Sequence, residues 1–228
     1  MGLILCIETA TEVCSVALAR EGQCIGHHTT TEPYTHVSQI NCLIEECLAN
    51  SRVDFKTLDA VAVSAGPGSY TGLRVGVSVA KGICFGMNIP LISINTLLAL
   101  ASGGKSYAER GEIYLCSLID ARRMEVYTAT YDRNFELIEP SRALIVRSDT
   151  FDHLRNQGKE IIFVGNGTQK VREIVPIEGV IFTKIICSAQ HLVQIAEKKY
   201  CQKQYSDLAQ FAPIYLKPPH ITKAKKFI

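Results

Sequence analysis

The sequence predicts an α/β protein whose mixed sheets are flanked by helices and arranged in two similar halves. Three observations carry that reading. Three strand-like runs open the chain before any helix, apolar strands then alternate with amphipathic helices to residue 101, and a similar order of elements begins again after Gly103-Gly104. A Rossmann unit would place a helix directly after its first strand, so the opening meander argues against one. At 228 residues, and about 150 residues per domain, the chain is long for one domain and short for two. A division after the glycine pair leaves two small lobes, 1–104 and 105–228.

Leu3–Ile7 is a continuous apolar run, as a strand buried on both faces requires. Glu8-Thr9-Ala10-Thr11-Glu12 reads as a turn, Cys14–Ala19 as a second strand, Glu21-Gly22 as the next turn and Gln23–Thr30 as a third strand. A helix is expected from Thr35, a suitable N-cap, to Asn50, because Val37, Ile40, Leu43, Ile44, Cys47 and Leu48 share one face at helical spacing. Ala60–Ser64 is another buried strand. It feeds the turn Gly66-Pro67-Gly68-Ser69-Tyr70-Thr71-Gly72, after which a second helix runs to about Phe85. Ile89–Ile94 is a strand and Thr96–Ala101 a helix. Beyond the break at Ser102-Gly103-Gly104-Lys105-Ser106, strands are expected at Glu112–Ile119, Glu125–Tyr131, Ala143–Val146 and Glu160–Val164. Helices are expected over Asp149–Asn156, from the turn Gly165-Asn166-Gly167 through Val175, and over Ser188–Gln202 with Ser188 as cap. Pro213, Pro218 and Pro219 leave the tail extended or irregular.

Hydrophobic residues at 47% against 20% charged exclude a disordered chain. The formal charge is +2, but Lys217, Lys223, Lys225 and Lys226 all follow the last acid, Asp207. Without those four the balance is 20 basic against 22 acidic residues, so the body is mildly acidic. That excludes the global basic field of a stand-alone nucleic-acid binder. The nine cysteines show no Cys-x-x-Cys and no Cys/His zinc spacing, and most lie in apolar runs, where they act as small hydrophobes. No secretion signal and no membrane span is expected, and a reducing cytoplasm is the expected compartment.

Three candidate sites stand out. The turn from Gly66 to Gly72 could aim backbone N–H groups at an anion, but it fits neither the G-x-G-x-x-G fingerprint nor a P-loop, since Leu73 and Arg74 follow Gly72. A tight turn that brings its helix close to a neighbour is the alternative. Gly72, Gly76 and Ala80 recur every four residues and form a small-residue groove for the sheet, the first helix or another subunit. Glycine inside a helix costs about 1 kcal/mol, so Gly76 and Gly82 call for a reason. Gly165-Asn166-Gly167-Thr168 is a second potential phosphate cradle, or an ordinary β-to-α turn. The histidines (27, 28, 36, 153, 191 and 220) show no metal or catalytic spacing.

Ile7-Glu8-Thr9-Ala10-Thr11 with Cys14-Ser15-Val16-Ala17-Leu18, and Ser64 through Gly76, together resemble the TsaB (YeaZ) family of bacterial proteins, relatives of the glycoprotease-like family that includes TsaD. The likeness continues through Ala80-Lys81-Gly82, Asn95-Thr96-Leu97, Ile119-Asp120-Ala121-Arg122, Val164-Gly165-Asn166-Gly167 and Pro213-Ile214-Tyr215-Leu216-Lys217. It implies two ribonuclease H-like lobes of the actin/sugar-kinase/Hsp70 type. It also implies a part in making threonylcarbamoyladenosine beside the tRNA anticodon. There TsaC makes threonylcarbamoyl-AMP, TsaD transfers the group, and the chain serves as partner and activator of TsaD, with the ATPase TsaE joining.

The TsaD-like paralogue carries two metal-binding histidines four apart where this sequence has Thr96 and Leu100, so no catalytic residue, no metal and no cofactor of its own is expected. Nucleotide, with ATP entering mainly through the complex, would meet Thr9, Thr11, Gly66, Gly68, Gly165 and Gly167. The partner interface would use Val37, Ile40, Leu43, Ile44 and Cys47 of the first helix with Leu73, Gly76 and Ala80 of the second. A homodimer is expected when the partner is missing, with tRNA held only through the complex. The rival readings are an ATP-dependent kinase or a glycoprotease-type metallopeptidase, and direct tRNA contact by the basic tail.

Overall fold

The apolar runs form two five-stranded sheets built to one plan. A computed structural model describes residues 2–32, 36–109, 111–176 and 178–218. Thr35, the expected helix cap, and Pro219, His220, Lys223, Lys225 and Lys226 of the tail lie outside those described residues. In the first half, β1 (Leu3–Glu8), β2 (Cys14–Arg20) and β3 (Gln23–Thr30) make an antiparallel meander. β4 (Ala60–Ser64) and β5 (Leu91–Ile94) then add in parallel on the other side of β1, giving the order β3-β2-β1-β4-β5.

In the second half, β6 (Ile113–Asp120), β7 (Glu125–Tyr131) and β8 (Leu137–Ile145) are antiparallel, while β9 (Glu160–Val164) and β10 (Val180–Phe182) run parallel to β6. The order β10-β9-β6-β7-β8 repeats the first sheet strand for strand, with β6 in the place of β1. Each lobe is ribonuclease H-like, as the resemblance implied.

The stripe of α1 (His36–Asn50) faces its own sheet: Ile40, Leu43, Ile44, Cys47 and Leu48 are buried with Leu5, Ile7, Val16 and Leu18. Burying one such aliphatic side chain stabilises the fold by about 1.5–3 kcal/mol. α2 (Tyr70–Met87) starts at Ser69, whose hydroxyl accepts the Gly72 N–H at 3.2 Å, and stops at Asn88, which takes the left-handed cap conformation with φ 55°. The exposed first residue of the stripe, Val37, is 68% accessible.

Four local expectations change. β8 is longer than Ala143–Val146, because Pro140 lies on an edge strand, where a missing N–H is tolerated. β10 is too short to show a period. The break after Ser102 contains a further short helix, α4 (Lys105–Ala108), following α3 (Thr96–Ser102). The last helix divides into a 3-10 turn at Ala189–Leu192 and α7 (Val193–Cys201), and short helices α5 (Asp152–Arg155) and α6 (Thr168–Arg172) complete the second lobe.

The boundary at residues 104/105 separates the sheets but not the cores. Leu97, Leu100 and Ala101 of α3 belong to the second lobe's core with Leu115, Ile162 and Val164. Ala189, Leu192, Val193 and Ala196 return to cover the first sheet against Ile4, Cys6, Ala17 and Ile94. A C-terminal strap follows: Ser206 pairs with Leu91, Phe211 packs beside α2, and the Ile214 N–H donates to the Ala65 carbonyl at 2.7 Å. Six of the nine cysteines are buried filler as expected, whereas Cys24, Cys42 and Cys201 are exposed. Burial pushes the Cys14 and Cys84 thiols up to about 11. No helix among the described residues is long and apolar enough to cross a membrane.

Candidate functional site

The C-terminal end of β1 carries its last residue, Glu8, into the junction between the lobes. Its carboxylate is fully buried; Oε1 accepts the Ala10 N–H at 2.7 Å and the Ser64 hydroxyl at 2.9 Å. Oε2 has no hydrogen-bond partner among the described residues, nor has the buried Oγ1 of neighbouring Thr9. Loss of hydration outweighs the hydrogen bonds from Ala10, Ser64 and the Thr9 backbone and raises the Glu8 carboxyl from 4.5 to about 7. The sequence reading placed Glu8 in a turn and missed it; the only signal was an acid closing an otherwise apolar strand.

The raised value has a measurable consequence. Between about 4.5 and about 7 the folded chain holds a proton that the unfolded chain releases. The contribution of protonated Glu8 to stability is therefore complete below about 4.5 and lost as pH rises through about 7. Urea denaturation across that window should show this loss in the native chain and not in Glu8→Gln; identical pH profiles would refute it.

The glycine turn closes on this strand end. The Ser69 N–H donates to the Ala10 carbonyl at 2.7 Å, and a methyl group at Gly68 would overlap that same carbonyl. A methyl at Gly72 would overlap the Thr9 carbonyl, and one at Gly76 the Thr9 hydroxyl. Gly66, with φ +108°, has the Ile214 carbonyl against it, while its N–H donates to Thr96 Oγ1 at 3.0 Å. The first cradle is filled by the β1–β2 turn and the strap, so close backbone approach is what its glycines serve.

The second cradle behaves alike. Gly165, at φ +116°, and Gly167 both abut Leu118 of β6, and the Gly167 N–H donates to the Leu118 carbonyl at 3.0 Å. Thr11, at 6% accessible, and Thr9 lie in the β1–β2 turn. Asn166 joins the two halves of the junction: its side chain accepts the Asp120 N–H at 3.0 Å and donates to Glu12 Oε2 at 3.0 Å. The structure thus brings Thr9, Gly68, Gly72 and Gly76 together, and separately Gly165 with Gly167. Thr96 is committed to the glycine turn, and Leu100 to the second core.

The described histidines make separate contacts, His220 lying outside the described residues. His36 contacts the Thr11 carbonyl at 2.9 Å, His28 meets Asn50, His153 meets Glu139, and burial pushes His191 down to about 4. Among the described residues no cluster of three His, Cys, Asp or Glu could hold a metal.

The expected partner interface needs correction. Ile40, Leu43, Ile44, Cys47, Leu73 and Ala80 are all at most 6% accessible, and Gly76 is buried against Thr9. They face inward because one apolar stripe per helix is consumed by the sheet. The outward face of the helix pair holds Val37, Asn41 and Glu45 of α1 with Arg74, Ser78, Gly82, Phe85 and Gly86 of α2. Phe85 is 82% accessible, and a methyl at Gly82 or Gly86 would meet nothing within 4 Å. Two shallow grooves run between the helices, of about 490 Å³ beside Val37, Tyr70 and Arg74 and about 690 Å³ beside Asn41, Phe55 and Ile83.

A duplicated ribonuclease H-like lobe, with a glycine turn at the end of its first strand and helices shared between the lobes, is the actin/sugar-kinase/Hsp70 architecture. The family model for TsaD, tRNA N6-adenosine threonylcarbamoyltransferase, matches residues 31–223. The tRNA threonylcarbamoyladenosine biosynthesis protein TsaB of Haemophilus influenzae is 30% identical over 224 residues, covering 94% of this chain and 93% of its own length. Its Escherichia coli counterpart is 29% identical, covering 94% of each. The solved structure of YeaZ from Pseudomonas aeruginosa superposes with a TM-score of 0.80 at 26% identity, over 95% of this chain and all of its own. The chain belongs to the TsaB (YeaZ) family, within the TsaD/glycoprotease-like superfamily.

Proposed function

We propose that the chain is the non-catalytic partner and activator of a TsaD-type transferase in the formation of threonylcarbamoyladenosine on tRNA. The names of its relatives support the pathway. One observation supports the partner role: α2 leaves Ser78, Gly82 and Gly86 open in a row beside Phe85, on a face that nothing among the described residues covers. Gly82 lies in the helix interior and costs about 1 kcal/mol there, and close approach of another helix is the return. The transferase's equivalent helices are that neighbour, and in its absence a second copy of this chain occupies the face.

The two positions at which the paralogue holds metal are here a structural hydroxyl and a core leucine, so transfer chemistry falls to the partner. Nucleotide enters through the complex, with the TsaE ATPase, and tRNA is recruited through it in the cytoplasm. The test is reconstitution with unmodified tRNA, TsaC and TsaD, with and without this chain. Modified tRNA should appear only when the chain is present, and none should form from the chain with TsaC alone. Equal product without the chain would refute the reading.

A further inference from the structure

The β6–β7 turn holds a pair of residues whose backbone conformation works against stability. Arg122 and Arg123, with φ 67° and 51°, are the only consecutive non-glycine residues in the left-handed region among those described. The turn is hydrogen-bonded, from the Glu125 N–H to the Arg122 carbonyl at 3.2 Å and from the Ala121 N–H to the Glu125 carbonyl at 3.1 Å. Arg122 enters this turn and Arg123 is its first central residue; asparagine and glycine tolerate left-handed positions, whereas arginine's Cβ crowds the following carbonyl.

The charges around the turn are uneven. Lys170 neutralises Asp120 at 2.7 Å, and Lys217 pairs with Glu125. Both flanking carboxylates are therefore satisfied by lysines from elsewhere in the chain. Arg122 and Arg123 are exposed, and among the described residues neither guanidinium has an ion-pair partner. A body that is mildly acidic overall thus presents two unbalanced cations at one exposed tip.

The tip is tied to the helix face. Lys217 belongs to the strap, whose Tyr215 ring lies 4.7 Å from that of Tyr70 at the start of α2, with the Arg74 guanidinium 4.4 Å from the Tyr70 ring centre. The cationic turn therefore lies along the strap from the α2 end of the proposed partner face.

We propose that Arg122 and Arg123 contact the phosphate backbone of the tRNA that the partner holds. The inference rests on the preceding reading and goes beyond it, since it gives this chain its own contact with the substrate. Guanidinium groups pair with phosphate oxygens in a bidentate geometry, and an exposed turn tip can reach a phosphate backbone without enclosing it. Backbone strain is then retained because the side chains are needed.

The test is Arg122→Asn/Arg123→Gly in the complex of this chain with the transferase, titrated against a fluorescent unmodified tRNA transcript at several salt concentrations. Affinity should fall about tenfold near 100 mM salt, and the slope of log K against log salt should flatten by about two. The variant's own Tm should rise by about 2–4 °C, because asparagine and glycine hold the two left-handed positions with less strain than arginine. Unchanged tRNA affinity and slope in an intact complex would overturn the proposal alone. So would a loss confined to transferase affinity measured without RNA, which would assign the pair to an acidic protein surface. A native chain that never joins the transferase would overturn this proposal together with the preceding reading.

Discussion

Gly72→Ala should destabilise the chain by about 3 kcal/mol, at the upper end of what overpacking a closed core costs. The new methyl would overlap the backbone carbonyl of Thr9, which cannot rotate away as a side chain can. Moving it shifts the β1–β2 turn, and with it the Ala10 and Ser64 hydrogen bonds to buried Glu8. Helix propensity returns only about 1 kcal/mol for Gly to Ala. Ten residues along the same helix the sign should reverse. Gly82→Ala has open space around the new methyl and should stabilise by about 1 kcal/mol. Urea midpoints for the two variants measure both effects. A Gly72→Ala chain as stable as the native one would mean that the glycine turn has room to spare.

The second large effect falls on assembly. Gly82→Leu/Phe85→Asp fills the open stripe and replaces an 82% accessible phenyl ring with a charge, so co-purification with the transferase should drop at least tenfold. Thermal unfolding should stay at or above the native temperature, since neither position is packed within the chain. That separation makes Gly82 a better probe than Gly76, whose replacement by Leu would strike Thr9 and damage the fold before reporting on any partner. A folded double variant that still co-purifies fully would remove the helix face from the interface.

Much of the lobe plan was legible because strand and helix periods are local. Leu3–Ile7 announced a central strand, and β1 is buried at every residue. The stripe from Ile40 to Leu48 announced α1 to within a residue of its described start. Its direction was not legible, since an apolar stripe looks the same whether it meets its own sheet or another protein. The small-residue groove of Gly72, Gly76 and Ala80 announced close packing, which the structure has, but not its neighbour, which is the β1–β2 turn at Thr9. Gly82, already costly on propensity alone, was the better sign of an outward face.

By itself the sequence determined most of the order of elements, the doubled architecture and the family. Each of these is written in residue type and short spacing. The tertiary structure alone decided which helix face remains open, that α3 and α7 each cover the other half's sheet, and that Asn166 reaches Glu12 across 154 residues of chain. It also decided that the Glu8 carboxyl titrates near neutrality. Those properties depend on which distant segments remove a group from water, and no local pattern records that.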